Sequence, residues 1–488
     1  MSDARLLTPS IWHKQVFTGQ WVAGSGDILK VKAPASDATL GHIGSAASEQ
    51  VDAVAEKSYE AAIAWGNTPY DERAAIMRQA ARTAEEHQDE LIHWLVDESG
   101  STPAKAAFEV AISIKVLHEA ASLPSRAAGE LMPSTPGRLN IARRRPLGVV
   151  GVISPFNFPL YLAIRAVAPA LALGNAVILK PDPRTSVCGG VSMARLFELA
   201  GLPEGVLAML PGGGATGAAL VENSNVAMIQ FTGSTAAGRK IGETAGRLLK
   251  KVSLELGGKN SLIILDDADL DLAISNATWG AYLHQGQICM SSGRILVQRD
   301  IYDRFLERLT EKARSLSVGD PRSGEFALGP LIDKGQLDHA CDLLSRAKAS
   351  GGNVLVGGET DGLFFKPAVV SDVTTDNPIF HEEAFAPIAV VIPFDTDAEA
   401  VALANNTEYG LSAGVISRDV GRALRLGEQL RTGLLHINDQ TVNDEVINPF
   451  GGVGASGNGT SVGGSSNIDE FTQWQWLTLK GEAPAYPL

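Results

Sequence analysis

Between residues 148 and 265 the chain alternates short apolar runs with helix-like stretches, and this rhythm limits its folds more than any other feature. The run Gly148-Val149-Val150-Gly151-Val152-Ile153 has no polar residue to turn toward water, so it reads as a strand covered on both faces. A turn follows, Ser154-Pro155-Phe156-Asn157-Phe158-Pro159, then an amphipathic helix over about 160–173 that Gly174-Asn175 closes. A second apolar strand over 176–179 completes a βαβ unit, whose crossover is expected to be right-handed. The pattern repeats as a helix over 186–199, a strand over 206–210, a helix over 216–222, a strand over 228–231 and a helix to about 249. The expected class is therefore α/β, with a parallel Rossmann-type sheet under helices on both faces. Ligands of such sheets bind outside the carboxyl ends of the strands. Asn157, Lys180, Gly212 and Gly233 each follow a predicted strand, so they are expected on one rim.

The flanking regions read differently. Residues 47–130 have helical spacing and are rich in Ala, Glu and Arg, while 139–145 alternates like an exposed strand. A second αβ cycle is expected to start at 252–256 and 261–265. Asp266 and Asp267 would stand at the N-terminus of a helix over about 268–284, with Cys289 just beyond it. Similar texture continues to about 440, and a Gly- and Ser-rich tail ends in a strand near 474–479. A chain of 488 residues exceeds what one core supports, so more than one lobe is expected.

The formal net charge of −14 and the lack of a basic patch exclude a nucleic-acid partner. The one basic run, Arg143-Arg144-Arg145, reads as a strand end or subunit contact. The longest apolar stretch, 160–179, is interrupted by Arg165, Pro169, Gly174 and Asn175 and does not read as a membrane span. Cys188, Cys289 and Cys341 lie far apart with no CxxC pair, which argues against a disulfide framework or a metal site and fits a reducing cytoplasm. The start, Met-Ser-Asp-Ala-Arg, lacks the plan of a signal peptide.

Several residues carry possible chemistry. Cys289 lies in Gly286-Gln287-Ile288-Cys289-Met290-Ser291-Ser292-Gly293; it is either a packing residue or a nucleophile, and its small neighbours leave room for a substrate. Glu255, inside Leu254-Glu255-Leu256-Gly257-Gly258-Lys259, is either half of a structural ion pair or a general base with a raised pKa. Asn157 either satisfies its own turn or, held between two prolines, offers an NH₂ to a developing oxyanion. Lys180 is either a solvated rim lysine or a donor to a ribose or phosphate. The glycine turns 212–217 and 233–238 precede helices and suit phosphate, although no G-x-G-x-x-G follows the 148–153 strand.

Together these segments resemble the aldehyde dehydrogenase superfamily. The resemblance rests on Pro155-Phe156-Asn157-Phe158-Pro159, Ile178-Leu179-Lys180-Pro181, Phe231-Thr232-Gly233-Ser234-Thr235 with Gly238, and Leu254–Lys259. It continues in Gly286-Gln287-Ile288-Cys289, in Glu383-Ala384-Phe385-Ala386-Pro387, where Ala386 replaces the usual glycine, and in Pro449-Phe450-Gly451-Gly452 with Ser456-Gly457. The motifs run in order along nearly the whole chain.

The resemblance implies NAD(P)-dependent oxidation of an aldehyde to the acid, with Cys289 as nucleophile, Glu255 as deacylation base, and Asn157 with the Cys289 N–H as oxyanion donors. It implies that Lys180 and Glu383 hold cofactor ribose hydroxyls, that Phe385 packs near the nicotinamide and that Gly233 and Ser234 approach the pyrophosphate. Pro155, Phe156, Gly213 and Leu256 are expected to complete the cofactor contacts. The implied parts are a cofactor domain (1–125 and 147–255), a catalytic domain (256–455) and a β bridging element (126–146 and 456–488) that builds a homodimer or homotetramer. NAD-preferring relatives carry a glutamate three residues after the lysine; here that position is Pro183, which predicts use of both NAD and NADP. The segments 157–165 and 180–185 look most like the benzaldehyde and vanillin dehydrogenase branch, so an aromatic aldehyde is expected, with Phe158, Tyr161 and Arg165 along its tunnel or, for the aromatics, in ordinary core packing. The rival readings are an enzyme that passes the acyl group to coenzyme A, which Glu255 argues against, and a non-catalytic protein on the same fold.

Overall fold

A computed structural model describes residues 5–126 and 129–487. The first residues of the chain, 1–4, and Ala127-Ala128 within the expected bridging element lie outside the described residues.

Two seven-stranded sheets carry the molecule. In the first, the strands run in the order Lys251–Glu255, Val226–Thr232, Val149–Ile153, Ala176–Lys180, Leu207–Met209, Gln15–Phe17 and Trp21–Ala23. The first five are parallel, and the last two join antiparallel at the edge. The central strands Val149–Ile153 and Ala176–Lys180 are buried at every residue. Helix Pro159–Ala172 covers one face and packs against the Pro103–Ser122 helix; Ser48–Gly66 covers the other. The second sheet orders Asn353–Val356, Ala368–Ser371, Ile388–Phe394, Arg294–Gln298, Ser261–Ile264, Ser412–Ile416 and Leu434–Ile437, all parallel except the first.

A third, antiparallel sheet orders Thr472–Lys480, Arg138–Pro146 and Gly129–Met132. Asn175 fastens it to the first sheet. The Asn175 carboxamide oxygen accepts the N–H groups of Leu147 and Gly148 at 2.7 and 3.1 Å, and its Nδ2 donates to the Phe471 carbonyl at 2.9 Å. Gly174, just before it, has φ +91°, the left-handed conformation that lets the helix end there. Arg144 pairs with Asp469 and stacks over the Trp474 ring at 3.7 Å, and Arg143 reaches Gln475, so two of the three arginines of the basic run bind within this sheet and its approach.

Three local expectations are corrected. Lys251–Glu255 does not open the second cycle but forms the edge of the first sheet, and the break falls before Ser261. The helix expected at 268–284 spans Leu270–Tyr282. Its cap is Asp269, whose carboxylate accepts the N–H groups of Asp271 and Leu272, whereas Asp266 pairs with Arg422 and Asp267 accepts from Ser417 and the Asp419 N–H. The helix expected over 186–199 starts with a π-helical turn, Val187–Val191, whose first two N–H groups are accepted by the buried Glu98 carboxylate.

Candidate active site

The parallel register brings the chemistry to one level. Ile153 pairs with Lys180 and Phe231, and Thr232 pairs with Glu255, so four strands end together at the carboxyl edge of the first sheet. A cavity of about 440 Å³ opens there. Its wall includes Pro155, Phe156, Asn157, Lys180, Gly233 and Ser234 from the first sheet's loops. Glu255, Leu256, Cys289, Glu383 and Phe385 complete the wall. Gly213 is not part of this wall. Gly217, in the helix that follows, packs on the lysine: an added Cβ there would lie 3.5 Å from Lys180 Cδ.

Two glycines allow the strand and the cysteine loop to meet. A Cβ at Gly257 would stand 2.5 Å from Glu383 Oε2, and one at Gly258 would stand 2.4 Å from the Cys289 carbonyl oxygen. Instead the Gly258 N–H donates to Glu383 Oε1 at 3.0 Å, and Asn260 Nδ2 donates to the carbonyls of Cys289 and Ser291 at 2.8 and 2.9 Å. On the far side, Ser456 Oγ donates to the Gly257 carbonyl at 2.7 Å and the Ser456 carbonyl accepts the Leu256 N–H at 2.9 Å, so the late Ser456-Gly457 motif pins the glutamate strand.

The cysteine loop leaves its helix sharply. His284 and Gln285 have φ +48° and +57°, and both are buried; Gln285 Nε2 donates to the Gly100 and Pro330 carbonyls. These bonds hold the left-handed pair against its steric cost. The Gln287 carbonyl then accepts Asn157 Nδ2 at 2.9 Å, linking the oxyanion candidate directly to the cysteine loop. The Asn157 carbonyl accepts the Lys105 ammonium at 2.8 Å, and Glu109 accepts the N–H groups of Leu160 and Tyr161 at 2.9 and 3.2 Å. Lys105 and Glu109 form an ion pair with no exposed side-chain surface. The turn is thus held from below by a charged pair that sequence reading did not single out.

Burial governs the titrating groups. It pushes the Glu255 carboxyl well above the usual carboxylate range. The Arg165 guanidinium opposes this, and Asp444 and Glu470 add to it. Neither Glu255 oxygen has a hydrogen-bond partner. Burial also raises the Cys289 thiol, with the charges of Glu383, Glu255 and Asp444 adding to the shift. It raises Glu383 to about 7, opposed by the Gly258 N–H and Lys259, and it lowers Lys180.

The donor set suits a dinucleotide. The Lys180 ammonium, 7% exposed, has one protein acceptor, the Pro181 carbonyl at 3.3 Å, so it retains donors for a hydroxyl or phosphate. Ser234 caps the Thr235–Arg247 helix, and that N-terminus, with Gly233, opens on the cavity, where main-chain N–H groups attract phosphate. Phe385, held at φ +48° with its carbonyl accepting Gln336 Nε2 at 3.0 Å, lies edge-on to Phe156, their rings 5.8 Å apart. Sequence reading missed Gln336, His339, Asp182 and Arg184, which also line the cavity. Gln336 and His339 follow no motif; they arrive on the Lys334–Ala349 helix, whose place depends on the second sheet.

Of the three expected tunnel residues, Arg165 stands with Cys289 in the wall of a small adjoining chamber. Phe158 and Tyr161 line neither space. Phe158 is buried, with Lys105 over its ring and His284 edge-on to it, and the Tyr161 hydroxyl donates to Asp444 at 2.6 Å. Among the described residues there is no helix long and apolar enough to cross a membrane and no acidic, His or Cys cluster suited to a metal ion.

Comparison with known proteins gives the same direction. The chain is 50% identical to a vanillin dehydrogenase of Amycolatopsis sp. and 47% identical to the benzaldehyde dehydrogenase [NAD(+)] of Pseudomonas putida, each match covering 98% of both chains. Its fold superposes on the betaine aldehyde dehydrogenase of Staphylococcus aureus in complex with NAD+ with a TM-score of 0.94, at 28% identity, over 98% of this chain and 97% of that one. A family model described as the aldehyde dehydrogenase family matches residues 21–477, and the chain belongs to that family.

Proposed function

We propose that this NAD(P)-dependent aldehyde dehydrogenase oxidises an aromatic aldehyde to the carboxylic acid through a thioester on Cys289. The observation that carries the reading is the shared wall of one cavity by Cys289, Glu255, Asn157, Lys180 and Glu383. The aromatic assignment is supported by the names and high identity of the vanillin and benzaldehyde dehydrogenases among its relatives.

The Cys289 sulfur attacks the aldehyde carbon, and the thiolate is the reactive form. The second Asn157 Nδ2 hydrogen, free of the Gln287 bond, and the Cys289 N–H receive the oxyanion. Nicotinamide, when bound, would supply the hydride acceptor for oxidation at the carbon held on Cys289. Glu255, ionised, takes a proton from water, whose oxygen attacks the thioester carbon and releases acid and thiol. Lys180 and Glu383 would hold the cofactor ribose hydroxyls, and Gly233 with Ser234 would face its pyrophosphate. Transfer to coenzyme A needs no base for water, so Glu255 favours hydrolysis.

The same reading places the enzyme in the cytoplasm as a homodimer or homotetramer. Its support is the third sheet, which exposes apolar residues on both faces, Leu131 at 72% on one and Trp476 at 71% on the other, surfaces suited to a second copy.

The test is a panel of benzaldehyde, vanillin and short aliphatic aldehydes with each cofactor, followed by reduced-cofactor absorbance. Higher kcat/KM for the aromatic members is expected, and Cys289→Ala is expected to abolish turnover. A preference for aliphatic aldehydes would remove the aromatic assignment.

A further inference from the structure

Beside Cys289, adjoining the main cavity and sharing Leu162, Thr232, Glu255 and Leu256 with its wall, lies a chamber with about 20 Å³ of free space, enough for one water molecule. Glu255, Arg165, Gln230 and Cys289 reach its wall, and Leu162, Ala166 and Phe450 make the rest largely apolar. Strand register explains the meeting. Gln230 and Thr232 lie two residues apart on one strand, opposite Ser253 and Glu255 of the next, so all four side chains share the sheet face that the Pro159–Ala172 helix covers. Arg165 comes from that helix.

The polar groups at the wall are incompletely bonded. Gln230 is 3% exposed; its Nε2 lies 3.4 Å from Thr232 Oγ1, and its Oε1 has no partner. Arg165 is 5% exposed. It pairs with Asp444, lies 3.2 Å from the Tyr161 hydroxyl and donates to the Val462 carbonyl at 3.0 Å, while its Nε–H has no partner. Both Glu255 oxygens are also free. Buried polar groups are rarely left so, and here three residues line a space with room for one water.

We propose that this chamber is the hydrolytic-water site, in which Gln230 Oε1 accepts a water hydrogen, Arg165 Nε–H donates to the water oxygen and Glu255 receives the second hydrogen. The proposal rests on the thioester reading above and extends it to Gln230 and Arg165. The water oxygen forms the new bond to the thioester carbon while one of its protons passes to the Glu255 carboxylate. The carbon–sulfur bond then breaks, and its electron pair returns to the Cys289 sulfur. Arg165 also offsets part of the burial that disfavours ionised Glu255. Its own charge is held in place by Asp444, so the pair acts as a fixed local field on the base.

The experiment uses Gln230→Met, similar in length but without the acceptor, with benzaldehyde and NAD+. Rapid mixing measures the burst of reduced cofactor, and rapid quenching measures release of acid from the acyl-enzyme. The burst amplitude counts folded sites. The expected result is an unchanged burst rate with acid release at least tenfold slower. Ala166→Val, which fills the chamber without removing a polar group, is expected to behave alike and serves if the first variant does not fold. Acid release within twofold of wild type, or a burst rate that falls in step with acid release, overturns the proposal. Glu255→Gln run in parallel separates the two levels. If it stalls acid release while Gln230→Met does not, only the chamber assignment fails; if it leaves acid release unchanged, the thioester-base reading fails with it.

Discussion

The Lys105 ammonium donates to the Asn157 main-chain carbonyl at 2.8 Å, from a helix 52 residues earlier in the chain. That bond, with the Glu109 carboxylate on the Leu160 and Tyr161 N–H groups at the start of the following helix, fixes the direction in which the Asn157 amide points. Lys105→Met leaves Glu109 buried without its partner, a change that costs about 3–5 kcal/mol. The expected outcome is a lower urea midpoint with an unchanged slope, which equilibrium unfolding measures. A double variant, Lys105→Met with Glu109→Gln, is expected to recover part of the loss, because no lone charge remains buried.

Asn157 itself is predicted to act on acylation. Its Nδ2 already donates once, to the Gln287 carbonyl at 2.9 Å, so the loop that carries Cys289 also orients the donor. Asn157→Ala is expected to slow the burst of reduced cofactor about 10²–10³-fold, the usual effect of losing one oxyanion donor. Stopped-flow measurement at saturating aldehyde checks this.

Deacylation should depend on pH through Glu255. Burial favours its protonated form, opposed by Arg165 and reinforced by Asp444 and Glu470, while the Cys289 thiol shares the same space. The base works only when ionised, so acid release is expected to rise with pH, with its midpoint above the ordinary carboxylate range. The midpoint shifts upward in Arg165→Met, because an opposing positive charge is gone. Rapid-quench rates across pH measure both; a midpoint near 4 would mean that Glu255 is not the group observed.

Cofactor choice is predicted from the turn after Lys180. Pro183 brings no carboxylate there, and Asp182 is engaged by Arg184 through a side-chain ion pair, with Arg184 also pairing with Asp333. Neither acidic group is free to repel a 2′-phosphate. We expect kcat/KM for NAD and NADP within about a thousandfold, roughly 4 kcal/mol of discrimination. Pro183→Glu is expected to reduce NADP use selectively.

The third sheet predicts assembly. Trp476→Glu puts a charge on the sheet face that also exposes Trp474 and Met132 and is expected to shift the native mass toward the monomer, measured by light scattering behind a sizing column. An unchanged mass would assign the interface elsewhere.

Much of the fold could be read along the chain because its central strands announce themselves. Val149–Ile153 and Ala176–Lys180 are apolar throughout, and Gly174 marks the end of the helix between them. The edge of the first sheet was harder to read. Lys251–Glu255 looks like the first strand of a new cycle, and only its pairing with Val226–Thr232 assigns it to the old one. Cys289, Glu255 and Asn157 stood out because each sits in a motif with a chemical reason. Asp444, Gln230 and the Lys105–Glu109 pair did not, since each derives its role from a neighbour on another element. The left-handed pair His284-Gln285 was equally hidden, because bonds that Gln285 donates to the Gly100 and Pro330 carbonyls, far away in the chain, hold it in place.

The central claim is that acyl groups pass through Cys289 and leave by way of Glu255. Intact-mass and peptide mass spectrometry of Glu255→Gln, mixed with benzaldehyde and NAD+, tests it directly. The account predicts one equivalent of reduced cofactor per active site and a benzoyl group on the Cys289 peptide. Full turnover with no acyl adduct, or an adduct on Cys188 or Cys341, would contradict it.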